Sequence, residues 1–294
     1  MNYAAIDIGT NSCRLLISSL QNDRLAAVFR KLETTRLGEG LNHSGRINPD
    51  ALARTIKCLE AFRKIMQEYR VQAFRVVATS AVREAENRQE FLDQVRGKIN
   101  IDIEVISGNE EAELSYQGVI HSLKLDPLPL VVDLGGGSTE FIIKGDPGFP
   151  LSLPVGAVRA TESDMKAVEI ADVLAPLREY KNLLAAYPLV LVGGTGSTLV
   201  AIKHSLAVYD PEFVHGQVLR REEIADIYDM LERMSLRLRQ RLPGLQPERA
   251  DIIPKGTMIV LLIMDTLDKN QIVVSESDLL EGLIWGMVST KHNK

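Results

Sequence analysis

Apolar and polar positions change period several times along this chain. Tyr3-Ala-Ala-Ile-Asp-Ile-Gly9 is an apolar run closed by a glycine, and a second apolar run covers 13–20, so the opening predicts two paired strands with polar residues at the hairpin tip. Leu52, Ile56, Leu59, Phe62 and Met66 recur at helical spacing and form one apolar stripe, and Asn48-Pro49 marks the start of that helix. Strands and helices then alternate: strand 74–78, helix 81–95, strand 101–106 and helix 110–123. That order predicts a partly parallel sheet covered by helices. Asp126-Pro-Leu-Pro129 interrupts the pattern ahead of a strand at 130–134 and marks a domain boundary, with a first domain over 1–125 and a second over 126–278.

The second half opens as the first does. Asp133-Leu-Gly-Gly-Gly-Ser-Thr139 follows Asp7-Ile-Gly-Thr-Asn-Ser12 at an offset of 126 residues, a period that predicts a duplicated domain and not a short solenoid. Further elements are predicted as a helix near 170–186, a strand at 189–192, a glycine turn Gly193-Gly-Thr-Gly196, and helices near 221–241 and 256–267. A strand at 272–274 and a helix at 279–290 complete the pattern.

Composition narrows the function classes. The 294 residues hold 34 Lys+Arg against 39 Asp+Glu, a net charge of −5, which excludes a strongly basic nucleic-acid binder. With 45% hydrophobic residues the composition is that of an ordinary globular protein, and the length exceeds what one core usually serves, so two domains are expected. Cys13 and Cys58 make neither a disulfide framework nor a zinc site. The longest apolar run, 258–264, falls well short of the roughly 20 residues of a membrane span, and Asp7 sits where a signal peptide is apolar. The expectation is a soluble cytoplasmic protein with no membrane partner.

The chemistry is concentrated at strand ends. A strand that ends in Asp and runs into Gly-Thr-Asn-Ser or Gly-Gly-Gly-Ser presents a carboxylate followed by unshielded backbone N–H groups, an arrangement that can cradle phosphate. One such turn is equally read as a tight hairpin; two related turns and Gly193-Gly-Thr-Gly-Ser197 together point to a bound nucleotide or polyphosphate. None is a Walker A loop, because no Gly-Lys-Ser/Thr follows. In Ala78-Thr-Ser-Ala-Val-Arg83 a strand enters a helix whose cap is Thr79 or Ser80, bringing amides and a guanidinium together; a solvent-facing Arg83 is the alternative. Ser107-Gly-Asn-Glu110 fits a capping box in which Glu110 reaches back to the Ser107 amide, leaving Glu111 without a local duty beyond the helix dipole. Glu140 is the odd residue in an apolar strand, where a buried carboxylate needs a cation or an edge position. Asp7, Asp133 and Glu140 are hard oxygen donors, so the metal they imply is Mg²⁺ or Mn²⁺.

Five segments carry a resemblance. Ala5-Ile-Asp-Ile-Gly-Thr-Asn-Ser12, Ala78-Thr-Ser-Ala-Val-Arg83, Ile106-Ser-Gly-Asn-Glu-Glu-Ala112, Val132-Asp-Leu-Gly-Gly-Gly-Ser-Thr-Glu140 and Gly193-Gly-Thr195 resemble, in order, the exopolyphosphatase and guanosine pentaphosphate phosphohydrolase family. The resemblance implies an α/β fold of the actin, Hsp70 and sugar-kinase type: two ribonuclease-H-like domains with an interdomain cleft, and a last stretch, 279–294, packed back on the first domain. It implies Glu111 as general base toward water and Asp133 and Glu140 as Mg²⁺ ligands. Arg83, Gly136, Gly137 and Ser138 would bind phosphate, with Asn11 and Ser12 in the corresponding first loop and Gly194 and Thr195 in the third turn. A homodimer is implied as well. Longer family members continue with a helical region that helps hold long polyphosphate, whereas this sequence ends at Lys294, so short polyphosphates are the expected substrates. Guanosine pentaphosphate is a further candidate. A small-molecule kinase of the same fold and a sensor without turnover are the competing readings.

Overall fold

The computed structural model describes residues 1–21, 24–144 and 148–292. The chain forms two compact units, 1–118 with 279–294 and 119–278, and residues 293 and 294 of that last stretch lie outside the described residues.

In the first unit, β1 (Asn2–Ile8) and β2 (Cys13–Gln21) form the expected hairpin, and β3 (Arg24–Glu33) extends it at the edge. β4 (Val71–Ala78) returns parallel to β1 through helix Pro49–Glu68, and β5 (Glu104–Val105) adds parallel to β4, giving the order β3-β2-β1-β4-β5. Helix Pro49–Glu68 starts where the sequence predicts, because the Asn48 side chain accepts from the Asp50 N–H. Its stripe Leu52, Ile56, Leu59, Phe62 and Met66 is buried. β1 is buried on both faces: Ala4, Ile6 and Ile8 pack with that helix, while Tyr3 and Ala5 pack with Leu279, Leu280, Leu283 and Ile284 of helix Leu279–His292.

The helix predicted over 81–95 is interrupted. Ser80–Glu84 and Arg88–Ile99 are separate helices, with Ala85 extended between them. Residues 86 and 87 bond sideways instead of along the axis: the Glu86 N–H donates to Gly45 O, and Asn87 Oδ1 accepts from the Ile47 N–H at 2.8 Å. Likewise the single helix predicted near 170–186 is split into Ala167–Val173, a 3-10 turn Ala175–Tyr180 and Lys181–Ala185, with Pro176 removing a backbone donor at the break.

The second unit repeats the first sheet's order. β6 (Leu130–Leu134), β7 (Thr139–Ile143) and β8 (Phe149–Leu153) form an antiparallel meander, and β9 (Leu189–Val192) and β11 (Gln271–Val274) add parallel strands on the β6 side. The order is β10-β11-β9-β6-β7-β8, where β10 (Val218–Arg220) is an additional antiparallel edge. Helix Ile253–Thr266, which contains the apolar run 258–264, is a core helix of this unit. No helix among the described residues is long and apolar enough to cross a membrane. The fold is thus α/β with two mixed sheets of one shared strand order, as the repeat of the Asp-Gly motifs predicts.

Candidate active site

In the first unit the hairpin tip is a closed turn. The Gly9 N–H donates to Ser12 O at 3.0 Å, and Thr10, Asn11 and Ser12 are all buried. Segment 36–38 clamps it from outside, with Arg36 N–H on Asn11 O and Gly38 N–H on Thr10 O, both at 2.9 Å. Asn11 Nδ2 donates to Ser12 Oγ. Asp7, at the end of β1, faces Arg14 in the register of β2, and its Oδ2 accepts from Arg14 Nη2 at 2.7 Å and Nε at 3.0 Å. The carboxylate expected among the metal ligands is therefore held by an arginine.

Arg83 and Glu111 are brought together. Arg83 Nη1 donates to Ile106 O at 2.9 Å and to Glu111 Oε2 at 3.1 Å, so the end of β5 and the first turn of helix Gly108–Ser122 share one guanidinium. Glu111 is buried, and its contact with Arg83 places a charge-assisted bond on the carboxylate. The neighbouring capping box forms only in part: Ser107 Oγ accepts from the Glu110 N–H at 3.2 Å, whereas the Glu110 carboxylate lies 4.0 Å from Arg75. Neither Thr79 nor Ser80 caps the helix with its hydroxyl, since Thr79 as N-cap makes no such bond and Ser80 Oγ donates to Glu84 at 2.8 Å.

The glycine turn of the second unit is oriented by the helix behind it. Gly135 O accepts from the Ala157 N–H, Gly136 O from the Val158 and Arg159 N–H groups, and Gly137 O from Arg159 Nε at 2.7 Å. A methyl group on Gly156 would lie 2.5 Å from the Gly136 carbonyl, so only glycine permits this approach. In a planar trans peptide the N–H points opposite to the preceding C=O. With these three carbonyls turned to helix Ala157–Glu162, the N–H groups of Gly136, Gly137 and Ser138 point to the other side, as an anion cradle requires.

Asp133 and Glu140 stand directly opposite each other in the β6–β7 register. Glu140 is 1% exposed, and its Oε1 accepts from Ser152 Oγ at 2.8 Å. A β-carbon on Gly193, whose φ is +98°, would lie 3.5 Å from Asp133 Oδ1, which places the third glycine turn beside this carboxylate. Gly194 opens helix Gly194–Lys203 with the guanidinium of Arg249 against it, and Thr195 is buried against Gly256. Both side chains are hard oxygen donors at one register position of neighbouring strands, so the donor chemistry fits a divalent ion at Asp133 and Glu140. Asp7 belongs to the other unit, and among the described residues no group of three acidic, His or Cys side chains is arranged to hold a metal.

Sequence reasoning missed Arg14, Arg159, Arg249 and Ser152. The signal for Arg14 was present, since Arg14 and Glu140 are separated by the same 126 residues as Asp7 and Asp133. The other three are positioned by tertiary contacts that no local pattern announces.

Residues 16–291 match the model of the Ppx/GppA phosphatase family. Exopolyphosphatase 2 of Mycobacterium tuberculosis is 35% identical, over 95% of this chain and 96% of that protein. A bifunctional 3-dehydroquinate synthase/phosphatase of Fusobacterium nucleatum is 36% identical over 98% of this chain, which spans only 47% of that longer relative. Among solved structures, an exopolyphosphatase from Cytophaga hutchinsonii superposes with a TM-score of 0.90 at 29% identity, covering 99% of this chain and 98% of that one.

Proposed function

Because the chain belongs to the Ppx/GppA phosphatase family, we propose that it is an exopolyphosphatase that hydrolyses the terminal phosphoryl group of inorganic polyphosphate. The carrying observation is the set of amides at Gly136, Gly137 and Ser138, turned outward by helix Ala157–Glu162 beside the opposed carboxylates Asp133 and Glu140. The relative of matching length is named for the same activity, which favours hydrolysis over the kinase and sensor readings.

Each residue has a task in this reading. The amides of Gly136, Gly137 and Ser138 bind a phosphate chain through its non-bridging oxygens, and Gly194 and Thr195, with Arg249 alongside, provide a second set of donors. Asn11 and Ser12 offer the corresponding loop of the first unit. Glu111 takes the proton of the attacking water. Arg83 holds that carboxylate in place and supplies positive charge toward the phosphoryl group. Asp133 and Glu140 would hold Mg²⁺, with Mn²⁺ as the alternative, and the ion would neutralise charge on the phosphate oxygens. Asp7 orients Arg14 within the first unit. Positioning and electrostatics supply the rate, since phosphoryl transfer to water asks for little covalent chemistry from the protein.

Guanosine pentaphosphate as a second substrate, a homodimer and a cytoplasmic location are parts of the same proposal, supported by the resemblance to the family. The test is phosphate release from tripolyphosphate, long-chain polyphosphate and guanosine pentaphosphate, each with Mg²⁺ and with EDTA, on protein of measured oligomeric state. Metal-dependent release from polyphosphate supports the reading; no release from any of the three removes it.

A further inference from the structure

Helix Gly194–Lys203 begins with Gly193, Gly194, Thr195 and Gly196, three of them the residue type that loses most backbone freedom on folding. Its N-cap, Gly193, has no side chain with which to close the first turn. The geometry of this turn is therefore imposed from outside. Thr198 Oγ1 donates back to Gly194 O at 2.6 Å, Arg249 lies against Gly194, and Gly256 against Thr195.

One brace comes from far along the chain. Ser197 Oγ donates to Glu276 Oε1. Burial of the Tyr209 hydroxyl and the nearby Glu276 carboxylate push Tyr209 well above the usual phenol range. Glu276 is itself fixed through its backbone: its N–H donates to His215 Nδ1 at 3.1 Å, and the preceding Ser275 N–H donates to Leu191 O at 3.0 Å.

A carboxylate beside the first turn of a helix opposes a bound phosphate by charge alone. Pure electrostatics and bracing thus predict opposite signs for the removal of Glu276. We propose that Glu276 is a positioning residue for the phosphate chain, acting through Ser197 to fix the turn that presents the amides of Gly194 and Thr195. This rests on the phosphohydrolase reading and adds a residue to it that neither composition nor motif singles out.

The test compares Glu276→Ala, Glu276→Gln and Ser197→Ala. If Glu276 positions the turn, Glu276→Ala and Ser197→Ala raise KM for tripolyphosphate about tenfold with kcat within about twofold, because a misplaced binding group loses affinity before it loses chemistry. Glu276→Gln, which keeps an acceptor for Ser197, stays within about twofold of the parent KM. Amide hydrogen exchange over residues 193–198, measured without substrate, accelerates about tenfold in the two alanine variants and not in the glutamine variant. An unchanged or lowered KM in Glu276→Ala, or unchanged exchange, overturns the proposal. If the parent protein releases no phosphate from any substrate, the phosphohydrolase reading fails by itself. The exchange rates, with calorimetric binding of tripolyphosphate, then decide the brace separately. Ser197→Ala keeps the test open should Glu276→Ala fail to fold.

Discussion

Asp133 and Glu140 face each other across the β6–β7 hairpin in the register position that Asp7 and Arg14 occupy across β1 and β2. The two units thus share a strand order and an aspartate, and differ in the sign of the charge opposite it. In the first unit the aspartate stands opposite an arginine that holds it; in the second it stands opposite a second carboxylate.

Replacing Glu140 by Gln removes one of the two opposed charges. In EDTA the variant is expected to melt at a higher temperature than the parent. Its activity should need at least about tenfold more Mg²⁺, since even groups behind a metal ligand cost that much when lost. Differential scanning calorimetry and a Mg²⁺ titration of phosphate release check the two halves, and a lower melting temperature in EDTA would contradict the opposed-charge account.

Glu111→Gln keeps the size of the side chain and an acceptor for Arg83 while removing the base. We expect kcat to fall by about 10²- to 10⁴-fold, the usual range for a positioned base, with far-UV circular dichroism unchanged. Full phosphate release by this variant would assign proton removal elsewhere.

Gly282 lies where helix Leu279–His292 touches the backbone of helix Gly108–Ser122, and a β-carbon there would collide with Leu114 O. Gly282→Ala must push the two helices apart. A loss of about 1–3 kcal/mol in urea unfolding is expected, the cost of overpacking a tight contact. A neutral effect would mean that the contact relaxes without strain.

The N–H of Arg220, with Lys203 as an added partner, holds the Glu223 carboxyl below its usual range. A depressed carboxylate contributes stability above its unfolded value, and that contribution is lost as the pH falls through the lower folded value. Urea stability measured from pH 5 down to pH 3 should therefore fall more steeply in the parent than in Glu223→Gln. Parallel curves would show that the cap carries no pH-dependent stability.

Much of this arrangement is legible in the residues. The Asp-Gly turns at 7–12 and 133–139, their common offset, the stripe Leu52 to Met66 and the cap at Asn48 all follow from local patterns, and each forms as the pattern predicts. Period and turn chemistry are properties of neighbouring residues, so they survive without knowledge of the fold. The break at Ala85 is a different matter: its cause is the Gly45–Ile47 turn, some forty residues earlier, which takes the hydrogen bonds of Glu86 and Asn87.

The same division runs through the site. The sequence by itself determined which residue types stand at the strand ends, an α/β chain with a repeated turn, and the family it resembles. Only the tertiary structure decided that Asp7 turns to Arg14 while Asp133 is paired in register with Glu140, that helix Ala157–Glu162 draws the carbonyls of the glycine turn to its own side, and that Glu276 reaches Ser197. Those outcomes depend on the partner opposite, across a sheet or from a distant segment, and a linear pattern carries the identity of each group but not the group that faces it.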